Sequence, residues 1–200
     1  MTAPGPPGTV EPRGEDRRRR AVLTLTAIAV GVLLADLGTK HLALVTLSDR
    51  EPVRLLGGAV YLTVVRNSGA AFGLGADYTW VFPFIAVGVV CWIAWMAARL
   101  RSLPWAVSLG LILGGALGNL LDRIFRAPGP FVGHVVDMIS VFDPYGRVFP
   151  VFNLADSALV CGVALAMGLE LTGRQRDGTR IATRAARGDD PDTATTSDAA

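Results

Sequence analysis

Four apolar runs, at about 21–42, 79–98, 103–121 and 148–170, punctuate the chain, and each approaches the roughly 20 predominantly apolar residues that a membrane-spanning helix requires. No other feature constrains the fold as strongly. Inside a bilayer the backbone must satisfy its own hydrogen bonds, so the expectation is an α-helical membrane protein with four transmembrane helices. Composition agrees: 51% of the residues are hydrophobic, 18% are charged and the mean hydropathy is +0.43, too apolar for an ordinary soluble domain.

The stretches outside the runs sort into tails and loops. Residues 1–20, Pro- and Gly-rich and then basic, and residues 173–200, polar and Thr/Asp/Arg-rich, lack the apolar side chains that bury a core. They are expected to be disordered cytoplasmic tails flanking a membrane domain over 21–172. Arg17–Arg20 precede the first run, Arg99 and Arg101 fill the second connection, and Arg174, Arg176 and Arg180 follow the fourth run. Cytoplasmic loops carry the Lys/Arg excess, so both termini are expected in the cytoplasm, with the connections 43–78 and 122–147 outside. The first run continues too far, without a small-residue cleavage site, for a removable signal peptide. Within the outer connections, 59–65 and 131–142 are rich in β-branched and aromatic residues flanked by glycine, which predicts a small extracytoplasmic β-rich region.

The net charge of +2 comes from clusters beside apolar runs, a membrane-topology pattern that speaks against a nucleic-acid partner. Cys91 and Cys161 lie in separate runs with no CxxC, and are expected to pack rather than to form a disulfide or bind zinc. His41 and His134 lack metal-ligand spacing. No metal or cofactor is expected. The glycines of "LGGALGN" (113–119) lack the lysine of a phosphate loop and suit close helix packing. A Ser–Lys hydrolase would have to use Lys40, the sole lysine, and no GxSxG accompanies Ser68 or Ser157.

Polar residues inside the spans are the informative exceptions. A charge at the bilayer centre costs at least about 2.5 kcal/mol, so an ionisable residue there points to function. Asn119, Asp122 and Arg123 share one face of the third run, Asn153 and Asp156 stand three apart in the fourth, and Asp36 and Lys40 four apart in the first. All fall near the outer end of their helices. Such groups can merely neutralise one another and hold helices together, which Asp36 and Asp122 have basic neighbours to do. Asp156 has only Asn153 and Ser157 beside it, and needs a proton or a partner from elsewhere. Asp137, within the apolar "GHVVDMISV", is the best candidate. Two carboxylates brought together at the edge of a low-dielectric region share a proton, and one can then activate water while the other donates. Spacing alone does not bring Asp137 to Asp156.

In order along the chain, "DLGTK" (36–40), "RNSGAAFG" (66–73), "GGALGNLLDR" (114–123), "VVDM" (135–138) and "FNLADS" (152–157) resemble the blocks of the lipoprotein signal peptidase, or signal peptidase II, family. The resemblance spans about 22–170 and implies a bacterial inner-membrane aspartic endopeptidase. Such an enzyme removes the signal peptide from diacylglyceryl-modified prolipoproteins, cutting just before the lipidated cysteine. It implies Asp137 and Asp156 as the catalytic dyad. Asn67, Asn119, Arg123 and Asn153 would bind substrate or orient the dyad, and Asp36, Lys40 and Asp122 would give structural support. Asp122, beside Arg123, is expected in an ion pair and is also the rival of Asp137 as partner to Asp156. Met138 stands where the family usually has Phe. Prolipoproteins and membrane lipids are the implied partners, and the molecule is expected to work as a monomer with its site toward the outer face. A proton-coupled exporter and a structural membrane subunit are the rival readings.

Overall fold

The computed structural model describes residues 14–69 and 78–180. Among these residues the order is α1 (Gly14–Leu47), β1 (Val53–Leu55), β2 (Val60–Asn67), α2 (Val81–Ala97), α3 (Leu103–Phe125), β3 (Val135–Val141) and α4 (Leu154–Leu171). Each apolar run contains one of these helices. Helices α1, α3 and α4 are long and apolar enough to cross a membrane, and α2, with 17 residues, stands at the lower limit of about 17. The 34 residues of α1 extend about 51 Å, well beyond a hydrocarbon core of about 30 Å. The tails expected at 1–20 and 173–200 lie mostly outside the described residues. Of their described parts, 14–20 is helical and 173–180 folds back through a bridge between Arg174 and Arg180.

The fourth run turns helical only at Leu154, six residues after the expected start at 148. Pro150 disfavours helix at the residue before it, and Phe152 is held extended by pairing with Ile139. Asn153, at φ −128° and ψ −177°, then caps the helix.

Helix α3 is the centre of the bundle, packed by α1, α2 and α4. Small residues permit this closeness: a Cβ on Gly110 would lie 2.8 Å from the Leu25 carbonyl oxygen, one on Gly114 would lie 2.7 Å from that of Ala29, and one on Gly115 would strike that of Ala155. The packing expected of the glycine-rich stretch is thus realised against two helices at once.

The strands form an antiparallel sheet in the order β1-β2-β3, one more strand than the two predicted. Val60 pairs with Val141 and Asn67 with Val135, across an irregularity between Leu62 and Val65. Alternation along β3 turns Val136 and Met138 into a cluster with Ala43 and leaves Asp137 on the opposite face. Met138 is buried, so an apolar side chain is what its position asks for.

The arginine clusters collect at the other end of the helices. The backbone N–H groups of Arg101 and Ser102 donate to the Arg176 carbonyl at 2.9 and 3.0 Å. Trp105 Nε1 donates to the Arg174 carbonyl at 2.8 Å, while the Arg176 guanidinium sits 4.8 Å above the Trp105 ring. Gly14 at the start of α1 adjoins the Arg101 guanidinium.

Candidate active site

At the sheet end, a cavity of about 670 Å³ opens between α2, α3 and α4. Apolar groups dominate its wall, among them Phe82, Leu120, Phe149 and Val160, and the polar groups that converge on it are Asn67, Asn119, Arg123, Asp137, Asp156 and Ser157. Mostly apolar lining with a few convergent polar side chains is the usual make-up of a ligand site.

Asp137 and Asp156 meet here although 19 residues separate them in sequence. Pairing of Phe152 with Ile139 lays the start of α4 alongside β3. Asn153 then links the two acids. Its Nδ2 donates to Asp137 Oδ1 at 2.7 Å, its backbone N–H donates to Asp156 Oδ2 at 3.1 Å, and its Oδ1 accepts from the Asp156 backbone N–H at 2.9 Å. The last two bonds form a capping box, which satisfies otherwise orphaned N–H groups at the helix start. Helix geometry therefore fixes where the Asp156 carboxylate points.

Two further asparagines complete the donors. Asn67 Nδ2 reaches Asp137 Oδ2 at 2.9 Å while its Oδ1 accepts from the Gly69 N–H at 2.9 Å. Asn119 Nδ2 reaches Asp156 Oδ1 at 2.7 Å, and its Oδ1 accepts from Lys40 Nζ and Asn153 Nδ2, both at 3.1 Å. Burial pushes the Asp137 carboxyl up to about 7; the Asn67 amide opposes the rise and the Asp156 charge adds to it.

Asp122 occupies a different place. It is 2% exposed and lies behind the cavity wall, with Oδ2 accepting from the Val136 N–H at 3.1 Å and forming an ion pair with Lys40 Nζ at 3.0 Å. Its second oxygen pairs with Arg126 Nε. The expected pairing of Asp122 with Arg123 is therefore corrected to Lys40 and Arg126. Asp36 joins the same cluster, its Oδ2 lying 2.7 Å from Lys40 Nζ and its Oδ1 accepting the Ala155 N–H at 2.9 Å.

Arg123 instead gathers backbone: Nη1 donates to the carbonyls of Ser68 at 2.9 Å and Gly133 at 3.2 Å, and Nη2 donates to that of Gly69 at 2.5 Å. Its guanidinium also lies 5.1 Å from the Phe82 ring centre. All nine residues singled out in the sequence thus gather at one end of the bundle. Reading the sequence missed the carbonyls of Ser68 and Gly69, which carry no side-chain signal, and the aromatic wall of Phe82 and Phe149. The "FPVF" (149–152) ahead of the fourth helix was the available hint. Cys161, expected to pack between helices, lies on the cavity wall. Among the described residues no cluster has the makings of a metal site.

A carboxylate pair set in the apolar wall of a cavity between spanning helices is the layout of a membrane-embedded hydrolase of the aspartic type. The family described as "Signal peptidase (SPase) II" matches residues 28–171, and the chain belongs to that family. It is 50% identical over 163 residues to the lipoprotein signal peptidase of Streptomyces coelicolor, covering 82% of this chain and 78% of that one. It is 49% identical to that of Mycobacterium avium, over 86% and 91% of the two chains. Two solved structures described as bacterial membrane enzymes share the fold, at 28% identity and a TM-score of 0.67 over 81% of this chain, and at 29% and 0.62 over 75%. The chain is a bacterial membrane peptidase, as the resemblance of its motifs implied, and the exporter and structural-subunit readings give way.

Proposed function

We propose that this peptidase removes the signal peptide from diacylglyceryl-modified prolipoproteins, cutting just before the lipidated cysteine, with Asp137 and Asp156 as its catalytic dyad. The observation that supports the assignment most directly is that both carboxylates open on one cavity while Asp122 does not. Each acid accepts two N–H donors, so the raised pKa of Asp137 divides the roles and leaves Asp156 as the base. Asp137, raised to about 7, holds the shared proton. Asp156 takes a proton from water as the water oxygen attacks the scissile carbonyl carbon. Asp137 gives its proton to the leaving nitrogen as the C–N bond breaks, and the proton on Asp156 then passes to Asp137 to restore the pair.

Asn67, Asn119 and Arg123 line the wall against which the peptide backbone lies, and the cavity between α2 and α4 admits it sideways while the acyl chains remain in lipid. The arginine clusters mark the cytoplasmic side, so both termini lie there and the site faces outward, at the depth where a signal helix leaves the membrane. One copy of the chain supplies every residue of the site.

Cleavage of a diacylglyceryl-modified prolipoprotein by the purified protein in detergent tests the reading. Asp137→Asn and Asp156→Asn, folded but inactive, with no cleavage of an unlipidated substrate, support it. Cleavage by either variant removes the dyad, and a wild-type protein that cleaves nothing removes the substrate assignment.

A further inference from the structure

The three asparagines around the dyad share one construction. Each presents its amide nitrogen to a carboxylate, and each has its amide oxygen held by a group that can only donate: the Gly69 N–H for Asn67, the Asp156 N–H for Asn153 and the Lys40 ammonium for Asn119. An amide turned around would present its oxygen to a carboxylate oxygen and its N–H to a donor, losing both bonds. Two of the three holds are backbone groups that no substitution removes. The third oxygen, of Asn119, is held by side chains alone, Lys40 Nζ and Asn153 Nδ2, both at 3.1 Å.

We propose that Lys40 is a positioning residue of the hydrolysis, acting through Asn119 to keep two amide donors and a fixed geometry on Asp156; this rests on the dyad reading above. Lys40 is fully buried, and its ammonium lies 2.7 Å from Asp36 Oδ2 and 3.0 Å from Asp122 Oδ2 as ion pairs while donating to Asn119 Oδ1 at 3.1 Å. The two acids aim the ammonium; the third bond transmits the orientation. Asp36 is in turn fixed by the Ala155 N–H, the residue before Asp156, so the lysine and the carboxylate it serves are referenced to the same turn of α4. An ion-pair cluster whose sole duty was to join α1 and α3 has no need of Asn119. The bond from Lys40 to the Asn119 oxygen gives the cluster its second duty.

A charge-balanced pair, Lys40→Met with Asp36→Asn, tests this without stranding a buried charge, since the new amide oxygen at position 36 still accepts the Ala155 N–H. Asp36→Asn alone measures the cost of the compensating change. We expect the folded pair to lose kcat on the order of 100-fold, as loss of catalytic positioning does, with KM unchanged. Combined with Asn119→Ala, the pair costs nothing further, since both remove the same bond to Asp156. If the methionine pair does not fold, Lys40→Gln with Asp36→Asn enters the same cycle with Asn119→Ala. Wild-type kcat in the folded pair, or losses that multiply in the combined variant, overturns the proposal. Wild-type inactivity on lipidated substrate, or cleavage by Asp137→Asn, overturns the dyad reading and this one together; loss of cleavage in Asp137→Asn beside an unaffected pair overturns this one alone.

Discussion

Asp137→Asn should change stability in a way that depends on pH. The carboxyl is 2% exposed and its pKa is raised from 3.8 to about 7, so the folded state holds the proton more tightly than the unfolded chain does. The group costs no stability below about pH 4; the cost grows as pH climbs toward 7 and is constant above it. At about 1.4 kcal/mol per pH unit, the gap between 3.8 and about 7 amounts to about 4 kcal/mol above neutrality. Asparagine does not titrate, but it offers one oxygen where the carboxylate offers two to Asn67 and Asn153, a fixed loss of about 1–3 kcal/mol. The difference between variant and wild type should therefore move in favour of the variant by about 3 kcal/mol between pH 5 and pH 8. For a chain of this size that is roughly 6–12 °C in Tm. Thermal unfolding of the two purified proteins in one detergent, across that pH window, reads it. A difference constant to within about 1 kcal/mol would refute the claim that Asp137 is buried with a raised pKa.

Three further expectations follow from the packing. Gly115→Ala should cost about 1–3 kcal/mol and lower kcat, because the new methyl meets the Ala155 carbonyl and the Leu159 side chain one turn further along α4, on either side of Asp156 in sequence; a variant with wild-type melting and turnover would contradict the packing. Arg123→Lys should reduce kcat/KM on the order of 10–100-fold, since one ammonium cannot hold the three carbonyls spanned by the guanidinium fork, and a cleavage assay at limiting substrate checks it. Trp105→Phe, at the far end, should lower stability by about 0.5–1.5 kcal/mol through loss of the bond to the Arg174 carbonyl, with kcat unaltered; thermal melting beside a turnover assay reads both.

The sequence announced the helices because hydrocarbon demands long apolar runs, and it announced the depth of the site because so many polar residues at one level have no bland explanation. What it could not announce was contact across distance. The meeting of Asp137 and Asp156 depends on a backbone bridge, Ile139 to Phe152, that leaves no mark in residue type. The late start of α4 has the same origin: periodicity carries a hydrophobic run back to 148, whereas pairing with β3 keeps the chain around Phe152 extended. The partner of Asp122 was misplaced for a local reason. Arg123 adjoins it in sequence, but neighbours on a helix point about 100° apart, while Arg126, one turn on, and Lys40, across the α1–α3 contact, stand on its own side.

The buried charges also bear on how the chain enters a membrane. Asp36 and Lys40 are one turn apart on α1, and Asp122 and Arg126 are one turn apart at the end of α3, so each helix brings its own counterion. Asp156 has no cation on α4, but it stands in the first turn, where the capping box and the helix dipole accept negative charge. Arg123, the other buried cation of α3, is settled without an acid, by the carbonyls of Ser68, Gly69 and Gly133. The ion pair from Lys40 to Asp122 thus joins two helices that each hold a counterion of their own, and assembly of the site is an exchange of partners rather than a rescue of stranded charge.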